Sequence, residues 1–351
     1  KLSVLALATH VLEGTRNQYI QLEKIPRCAR PHVTLKNRIR MIVLTGTSGG
    51  LVSVALETIL EQKLLQPNEF RLSSWNGQTK SKKAIEAGVE VRRGDLKDPA
   101  TLVHAFEGAE ALLLVSYPSV GEERFKYHRD AIDAAKVAGV KHVLYTSLTF
   151  GGVTGESSSA GVKQAHIQTV RYLKASGLKW TILRYPTYNH LWNNFAGFLR
   201  LEEEGDAEVV MPDDGPNHWA SREDLGEATA KVLADWRSYE GQTVNFTGPQ
   251  LLSISDIVEM YGKHTGRRIN VRLVGVEKAI EYHKQHKTLP AEQEDFLPNW
   301  ASWHVSIARG ETSFLDPALE DLLGRKPKTV EDMANTLFEP ETNILDIKDF
   351  A

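Results

Sequence analysis

Residues 41–52 have the order of residue types expected of a phosphate-binding turn. An apolar run at 41–45 is followed by Gly46, two small hydroxyl residues and Gly49, after which a helix-like apolar segment begins. The first glycine of such a turn permits a sharp bend, and the second lets a diphosphate approach the backbone at the N-terminus of the next helix. The other interpretation is an ordinary turn between a strand and a helix, which needs glycine for its backbone angles alone.

The elements that would position this turn follow a repeating pattern. Apolar, strand-like runs cover residues 41–45, 69–74, 89–92, 111–116, 142–147 and 180–184. Helix-length segments between them cover residues 51–65, 80–87, 99–106, 122–138 and 160–176. Continuously apolar strands are typical of a sheet that helices cover on both faces. The sequence therefore predicts an α/β protein with a Rossmann-like, doubly wound parallel sheet, whose ligands bind beyond the carboxyl ends of the strands.

After about residue 185 the chain is richer in aromatic and turn-forming residues. Five of the seven tryptophans lie there, namely Trp192, Trp219, Trp236, Trp300 and Trp303. We expect residues 41–185 to form a nucleotide-binding domain. We expect residues 186–340 to form a smaller mixed cap that is interleaved with this core and binds substrate, and residues 341–351 to form a tail.

Composition excludes several classes of protein. The chain has 351 residues with 41% hydrophobic and 25% charged side chains, which is ordinary globular usage. The single cysteine, Cys28, excludes an internal disulfide framework and a multi-cysteine metal site. The net charge of −3 provides no general nucleic-acid-binding surface. No apolar run reaches the roughly 18 residues of a membrane span. We therefore expect a cytoplasmic protein that binds neither nucleic acid nor membrane.

Residues 1–40 differ from the rest in charge. They contain eight Lys and Arg residues but only Glu13 and Glu23, a net charge of 8 − 2 = +6. Three interpretations are open: a translated leader ahead of a start at Met41, an Arg-rich organelle transit segment, or a short secretory segment. In each case we expect residues 1–40 to lie outside the catalytic fold.

Taken together, the segments resemble the NmrA-like branch of the atypical short-chain dehydrogenase/reductase superfamily, with its quinone-oxidoreductase-like and isoflavone-reductase-like members. The similar segments are the glycine turn and residues 94–96, 113–116, 138–143, 145–147, 176–184, 245–249 and 324–327. The resemblance covers about residues 41–340. This chain has Val52 where the family has a third glycine, which would hold the first helix slightly away from the strand.

The resemblance implies which residues contact a nicotinamide dinucleotide. The phosphates would be lined by Gly46, Thr47, Ser48, Gly49, Gly50 and Leu51. Asp95 and Leu96 would contact adenine. The adenosine ribose and pyrophosphate would lie against Ser116, Tyr117 and Pro118. The nicotinamide end would be formed by Thr146, Ser147, Leu148, Tyr185, Pro186 and Thr187. For each residue the alternative is a loop conformation required by the strand end alone.

The end of the second predicted strand bears on the choice between NAD(H) and NADP(H). An acidic residue there would bind the ribose 2′-OH and repel a 2′-phosphate, and residues 72–76 contain no acid. Ser74, Asn76 and Lys80 could bind the 2′-phosphate, and Trp75 could stack on adenine, although many relatives have Arg where Trp75 stands. We therefore predict NADP(H). The alternative is that the lysine belongs to a solvated helix start.

Candidate catalytic residues lie on the predicted helix 160–176. The region 155–172 lacks the Tyr-x-x-x-Lys pair that ordinary members of the superfamily use for acid catalysis. A helical wheel places His166 on one arc with Val162, Thr169 and Leu173. His166 also matches the position of His in quinone-oxidoreductase-like members and of a catalytic Lys in the isoflavone-reductase branch. We predict that His166 relays a proton or positions substrate, with Lys163 as a second candidate. A satisfied core histidine is the alternative.

Aromatic residues of the second part suggest a pocket for a large planar ligand. The predicted substrate-binding residues are Tyr188, His190, Trp192, Trp219, Trp300 and Trp303, each of which could instead pack in the core. We see no metal-ligand spacing. The predicted function is reduction of a hydrophobic, aromatic or polycyclic carbonyl, imine, quinone or enone by NADPH, in specialised metabolism. The alternatives are a non-redox rearrangement on the same fold and a dinucleotide sensor that binds a protein partner. A homodimer is a further expectation.

Overall fold

The structure is a computed structural model that describes residues 41–119 and 121–340. The predictions for residues 1–40 and for the tail at 341–351 lie outside these ranges. Twelve strands occur within them: β1 (Ile42–Leu44), β2 (Phe70–Ser74), β3 (Glu90–Arg93), β4 (Ala111–Leu114), β5 (His142–Leu148), β6 (Lys179–Tyr185), β7 (Thr187–Tyr188), β8 (Ala207–Met211), β9 (Asn217–Ala220), β10 (Thr243–Asn245), β11 (Leu251–Leu252) and β12 (Ile269–Leu273).

Twelve α-helices occur in the same ranges. They are α1 (Gly50–Glu61), α2 (Lys82–Glu86), α3 (Leu102–Phe106), α4 (Glu122–Val137), α5 (Gly161–Ala175), α6 (Trp192–Phe195), α7 (Arg222–Ala234), α8 (Ile254–Thr265), α9 (Val276–Gln285), α10 (Leu297–Ala308), α11 (Ala318–Leu323) and α12 (Ala334–Leu337). None of the helices in the described ranges is long and apolar enough to cross a membrane.

Seven strands form one fully parallel sheet in the order β10-β6-β5-β4-β1-β2-β3. Successive side chains of a strand point to opposite faces, and β1 shows the consequence. Ile42 and Leu44 pack with α1 and α7, whereas Val43 packs with α3 and α4 on the other face. Helices on both faces of a parallel sheet confirm the predicted Rossmann-like fold.

The second part of the chain is divided between two cores. β10 and α7 return to the main sheet and its helical layer, where Leu225 and Val244 join the same cluster as Leu44. The remainder forms a three-stranded sheet, β11-β9-β7, and a two-stranded sheet, β12-β8. Residues of these small sheets and of α6, α8 and α10 form a separate aromatic core. The smaller mixed cap that we predicted is therefore present.

Local sequence explains the differences from the predicted element boundaries. The second helix begins at Lys82 rather than at 80, because the Ser81 hydroxyl caps it by accepting a hydrogen bond from the Ala84 N–H at 3.2 Å. The first helix ends at Glu61 rather than at 65, and Lys63 follows with a φ of 54°. This positive φ is incompatible with a continuing right-handed helix.

Candidate active site

A cavity of about 640 Å³ lies at the carboxyl ends of the first five strands. It begins at the turn between β1 and α1, crosses the ends of β2 and β3, and continues along the ends of β4 and β5. This is the edge at which ligands bind in open parallel sheets. The predicted residues that line it are Gly46, Thr47, Ser48, Gly49, Gly50, Leu51, Ser74, Trp75, Asp95, Leu96, Ser116, Tyr117, Pro118, Thr146, Ser147, Leu148, His166, Tyr185 and Tyr188.

The turn at the start of the cavity requires its first glycine. Gly46 has a φ of +66°, and a Cβ added there would lie 2.7 Å from the Cβ of Val115 on the neighbouring strand end. The Gly49 N–H donates to the Gly46 carbonyl oxygen at 3.0 Å and closes the turn. Thr45 fixes the adjoining strand ends, because its hydroxyl donates to the Leu113 carbonyl at 3.0 Å and accepts from the Val115 N–H at 2.9 Å. The short side chains therefore leave the backbone at the N-terminus of α1 accessible from the cavity.

The ends of β4 and β5 are joined by hydrogen bonds at the cavity wall. The Ser116 N–H donates to the Thr146 hydroxyl at 2.8 Å. Lys163 Nζ donates to the Ser147 hydroxyl at 3.0 Å and to the Leu148 carbonyl at 2.6 Å. Burial, with the nearby charge of Arg184, holds the pKa of Lys163 well below its usual value. Lys163 thus holds the end of β5 in place and does not line the cavity.

Arg184 on β6 organises the loop that follows β5. Its guanidinium is buried and donates to the carbonyls of Leu148, Thr149, Phe150 and Gly152 at 2.7–3.1 Å. A planar fork of five N–H groups suits such a set of acceptors. The loop is therefore held by one side chain from the neighbouring strand, a function that no sequence motif indicates.

His166 is 1% exposed and lies at the cavity wall beside β5. Arg124 Nη1 donates to its Nε2 at 3.2 Å, and the Tyr145 hydroxyl lies 2.8 Å from its Nδ1. Because a guanidinium can only donate, Nε2 accepts, and the hydrogen on Nδ1 is donated to the Tyr145 oxygen. Burial, with the adjacent charge of Arg124, holds the pKa of His166 well below its usual value. The ring is therefore neutral, and both of its nitrogens are engaged.

A second buried histidine extends this cluster, which we term the His166 network: Arg124, His128, Tyr145, His166 and Thr169. His128 Nε2 accepts from the Tyr117 N–H at 2.9 Å, and its Nδ1 donates to the Thr169 hydroxyl at 2.9 Å. Burial and the charge of Arg124 lower the pKa of His128 to about 3. The network connects α4, α5 and β5 to the loop after β4, which carries Tyr117.

The end of β2 is more exposed than the rest of the site. The Trp75 ring is 64% exposed at the cavity edge. Asn76 lies outside the lining, and its Oδ1 accepts from the Gln78 N–H at 3.1 Å, which stabilises the loop. Lys80 also lies outside the lining. The cationic side chain that the cavity does include here is Lys97, directly after the predicted Asp95 and Leu96.

The residues after β6 are only partly brought together. Tyr185 lines the cavity, with its hydroxyl 2.8 Å from that of Thr229. Pro186 and Thr187 are buried beyond the lining, and Thr187 accepts a hydrogen bond from Asn217 at 3.1 Å. His190 contacts the cavity indirectly, because its ring stacks on Tyr188 with a centroid distance of 5.6 Å.

The structure corrects the aromatic-pocket prediction for four tryptophans. Trp192, Trp219, Trp300 and Trp303 are each at most 2% exposed, and none of them lines the cavity. Their rings form the aromatic core of the second part, with Phe195 between Trp219 and Trp303 at centroid distances of 5.4 and 5.1 Å. Large aromatic area is best buried where the indole N–H also finds a partner. The Trp300 Nε1, for example, donates to the Asn194 carbonyl at 2.8 Å.

One cavity residue that the sequence analysis missed is Arg222, at the start of α7. Its side chain lines the cavity beside the glycine turn, although it follows that turn by more than 170 residues. The sequence around Arg222 indicates only the start of a helix. Ser221 caps that helix, because its hydroxyl accepts a hydrogen bond from the Asp224 N–H at 3.0 Å. Its proximity to the turn depends on the packing of α7 against α1.

Comparison with known proteins identifies one family and several relatives. A profile of the NmrA-like family matches residues 36–293. The NmrA-like family domain-containing oxidoreductase flvB of Aspergillus flavus is 30% identical over 298 residues, covering 84% of this chain and 94% of that protein. Quinone oxidoreductase 2 of Escherichia coli is 27% identical over 298 residues, covering 85% and 99% respectively.

A solved structure shares the backbone arrangement. The crystal structure of the NADPH-dependent quinone oxidoreductase QOR2 of Escherichia coli, complexed with NADPH, superimposes with a TM-score of 0.73. It is 27% identical and covers 85% of this chain and 100% of that chain. The match therefore extends beyond the main sheet into the smaller part of the chain.

Proposed function

The chain belongs to the NmrA-like family, and on that basis we propose that it is an NADP(H)-dependent oxidoreductase acting on a hydrophobic, aromatic or polycyclic small molecule. The observation that carries the proposal is the continuous cavity from the glycine turn to His166, along the strand ends where a dinucleotide binds in this fold. Relatives at 30% and 27% identity are named oxidoreductases, and one of them was solved with NADPH.

The residues of the cavity fit NADP(H). The turn after β1 presents backbone at the N-terminus of α1, where a diphosphate binds. The end of β2 has no acid to repel a 2′-phosphate, and Lys97 adds a positive charge at the ends of β2 and β3. When bound, NADPH would supply the hydride, and the protein would bind, orient and shield the reacting groups.

The wall near His166 supports a hydrophobic acceptor. Leu148, Tyr185 and Tyr188 supply apolar and aromatic surface there. Aromatic walls with few polar groups favour planar ligands, which bind by buried area and stacking. A quinone, enone, imine or aromatic carbonyl fits this description. A place in specialised metabolism stays a prediction.

The geometry favours a positioning function for His166 over acid catalysis. A general acid works best when its pKa lies near the working pH, whereas burial holds the pKa of His166 well below that range. Its ring nitrogens are engaged with Arg124 and Tyr145. We assign His166 and Tyr145 to fixing the shape of the wall against which substrate lies.

A second candidate function is dinucleotide sensing without turnover. It is favoured by the same saturation of hydrogen bonds, since the ring nitrogens of His166 and the Tyr185 hydroxyl already have protein partners. In that case a protein partner would take the place of a substrate. A homodimer is compatible with both functions.

The test uses the full chain with both cofactors and a panel of quinones. We expect NADPH to bind more tightly than NADH in nucleotide-fluorescence titrations, and a quinone to accelerate NADPH oxidation at 340 nm. Tight NADPH binding without turnover on quinones, enones or imines would favour the sensor. Absence of binding to either cofactor would reject both functions.

A further inference from the structure

Arg222 is the first residue of α7, and its guanidinium rests on Gly50, the first residue of α1. A Cβ added at Gly50 would lie 2.5 Å from Arg222 Cζ and 2.6 Å from its Cδ. Such separations are far below van der Waals contact. Gly50 is therefore small enough for the arginine to cross the N-terminus of α1, which explains a glycine that the turn itself does not require.

The partners of Arg222 leave its charge uncompensated. Its Nη2 donates to His190 Nε2, and its Cζ lies 5.7 Å from the centroid of the Tyr188 ring. Its Nε is buried and has no hydrogen-bond partner in the described part of the chain. No carboxylate of residues 41–119 or 121–340 lies within ion-pair distance of it. The Arg222 guanidinium therefore contacts the imidazole of His190 and the ring of Tyr188, neither of which carries a negative charge.

This arrangement suits an anion. A partly buried guanidinium without a carboxylate loses hydration that nothing in the protein replaces. The N-terminus of α1, which it touches through Gly50, adds unpaired backbone N–H groups and positive potential. Two positive contributions therefore converge on one side of the cavity, at the turn that accepts a diphosphate in this fold.

We infer that Arg222 binds the diphosphate of the dinucleotide, from a helix remote in sequence from the glycine turn; this rests on the proposed function. The guanidinium lines the cavity and supplies charge-assisted hydrogen bonds to phosphate oxygens. The same side chain contacts His190 and Tyr188, so it connects the diphosphate end of the cavity to residues near the substrate end.

The test compares NADPH with a fragment that lacks the diphosphate. Affinities for NADPH and for adenosine 2′-phosphate are measured by calorimetry for the wild type, Arg222→Gln and Arg222→Lys. A hydrogen bond to a charged group supports a loss of about 10- to 150-fold. Arg222→Gln should show that loss for NADPH and bind adenosine 2′-phosphate as the wild type does, with Arg222→Lys between the two.

A matched control removes one arginine far from the cavity. Arg237→Gln deletes a guanidinium that pairs with Glu110 near the start of β4, and it should leave both affinities unchanged. Unchanged NADPH affinity in Arg222→Gln would overturn the inference, and a raised KM for an anionic substrate alone would assign the arginine to substrate. Equal losses for NADPH and the fragment would also overturn it, by showing general damage. Failure of the wild type to bind NADPH would instead refute the proposed function itself.

A double-mutant cycle tests the contact directly. Gly50→Ala should displace the arginine and reduce NADPH affinity, whereas in the Arg222→Gln background the same change should have little further effect, because contacting residues are not additive. An equally large effect of Gly50→Ala in both backgrounds would show that the methyl group acts on the cofactor itself and would overturn the proposed crossing.

Discussion

The two ends of the cavity are built in opposite ways. At the glycine turn, small side chains leave the backbone of 46–51 facing the cavity. Near β5, the side chains of the His166 network bond to one another and leave few groups free. The first end can bind a ligand through exposed backbone, because its side chains are small. The shape of the second end is set by hydrogen bonds between its own side chains. We therefore expect cofactor affinity to depend on added bulk at the turn, and substrate handling to depend on the integrity of the network.

The largest effect is expected from adding bulk at the turn. Gly49 is exposed at a φ of −84°, which other residues also adopt, although a Cβ added there would lie 3.3 Å from the Gly46 carbonyl oxygen, a tight contact. Gly49→Leu should reduce NADPH affinity by about 100-fold or more, because the side chain would occupy the diphosphate approach. Fluorescence titration measures the loss, and an unchanged melting temperature shows that the fold is intact. A folded Gly49→Leu protein with normal affinity would remove the phosphate-turn assignment.

A smaller effect is expected at the other end. His166→Ala should lower kcat by about 10- to 100-fold, because a positioned wall contributes less than the roughly 10²–10⁴ of a general acid. NADPH affinity should stay within about two-fold of wild type, since the turn is untouched. Single-turnover and steady-state assays on the substrate identified by the quinone panel measure both quantities.

His166→Asn and the pH profile separate positioning from proton transfer. Asn can accept from Arg124 and donate toward Tyr145, so it should restore much of the lost rate. Burial lowers the pKa of His166 well below its ordinary value, so the ring stays neutral across the neutral pH range. We therefore expect kcat to show no His166-dependent step between about pH 6 and 8. A step that disappears in His166→Asn would contradict the positioning function and support proton relay.

The contrast between the two ends also explains which features the sequence predicted. The turn is local: Gly46 and Gly49 bond to each other, and the alternating pattern fixed the sheet around them. The fold prediction, which the seven-stranded parallel sheet confirms, and the family prediction, which the profile match confirms, both depend on such local patterns. Arg222 reaches Gly50 only through the packing of α7 on α1, which no local pattern encodes. Lys163 and the tryptophans show a second limit, because the sequence does not distinguish an aromatic or polar residue in a core from one in a pocket.

The smallest effect on cofactor affinity is expected at the exposed end of β2, where the adenosine part of the cofactor would lie. Lys80 was predicted to bind the 2′-phosphate, but the cavity is lined by Lys97 instead, whose Nζ lies 5.7 Å from the centroid of the Tyr117 ring. Exposed charge interactions are weak, about 0.2–1 kcal/mol. Lys97→Gln should therefore weaken NADPH binding by about two- to five-fold and NADH binding by less. Lys80→Gln is the matched control, because it removes the same charge outside the cavity. It should change either affinity by less than about two-fold. The difference should shrink as salt is raised, because screening acts on exposed charges. A larger loss in Lys80→Gln would show that the loop after β2 closes on the 2′-phosphate when cofactor binds, and that the sequence interpretation of this loop was the better guide.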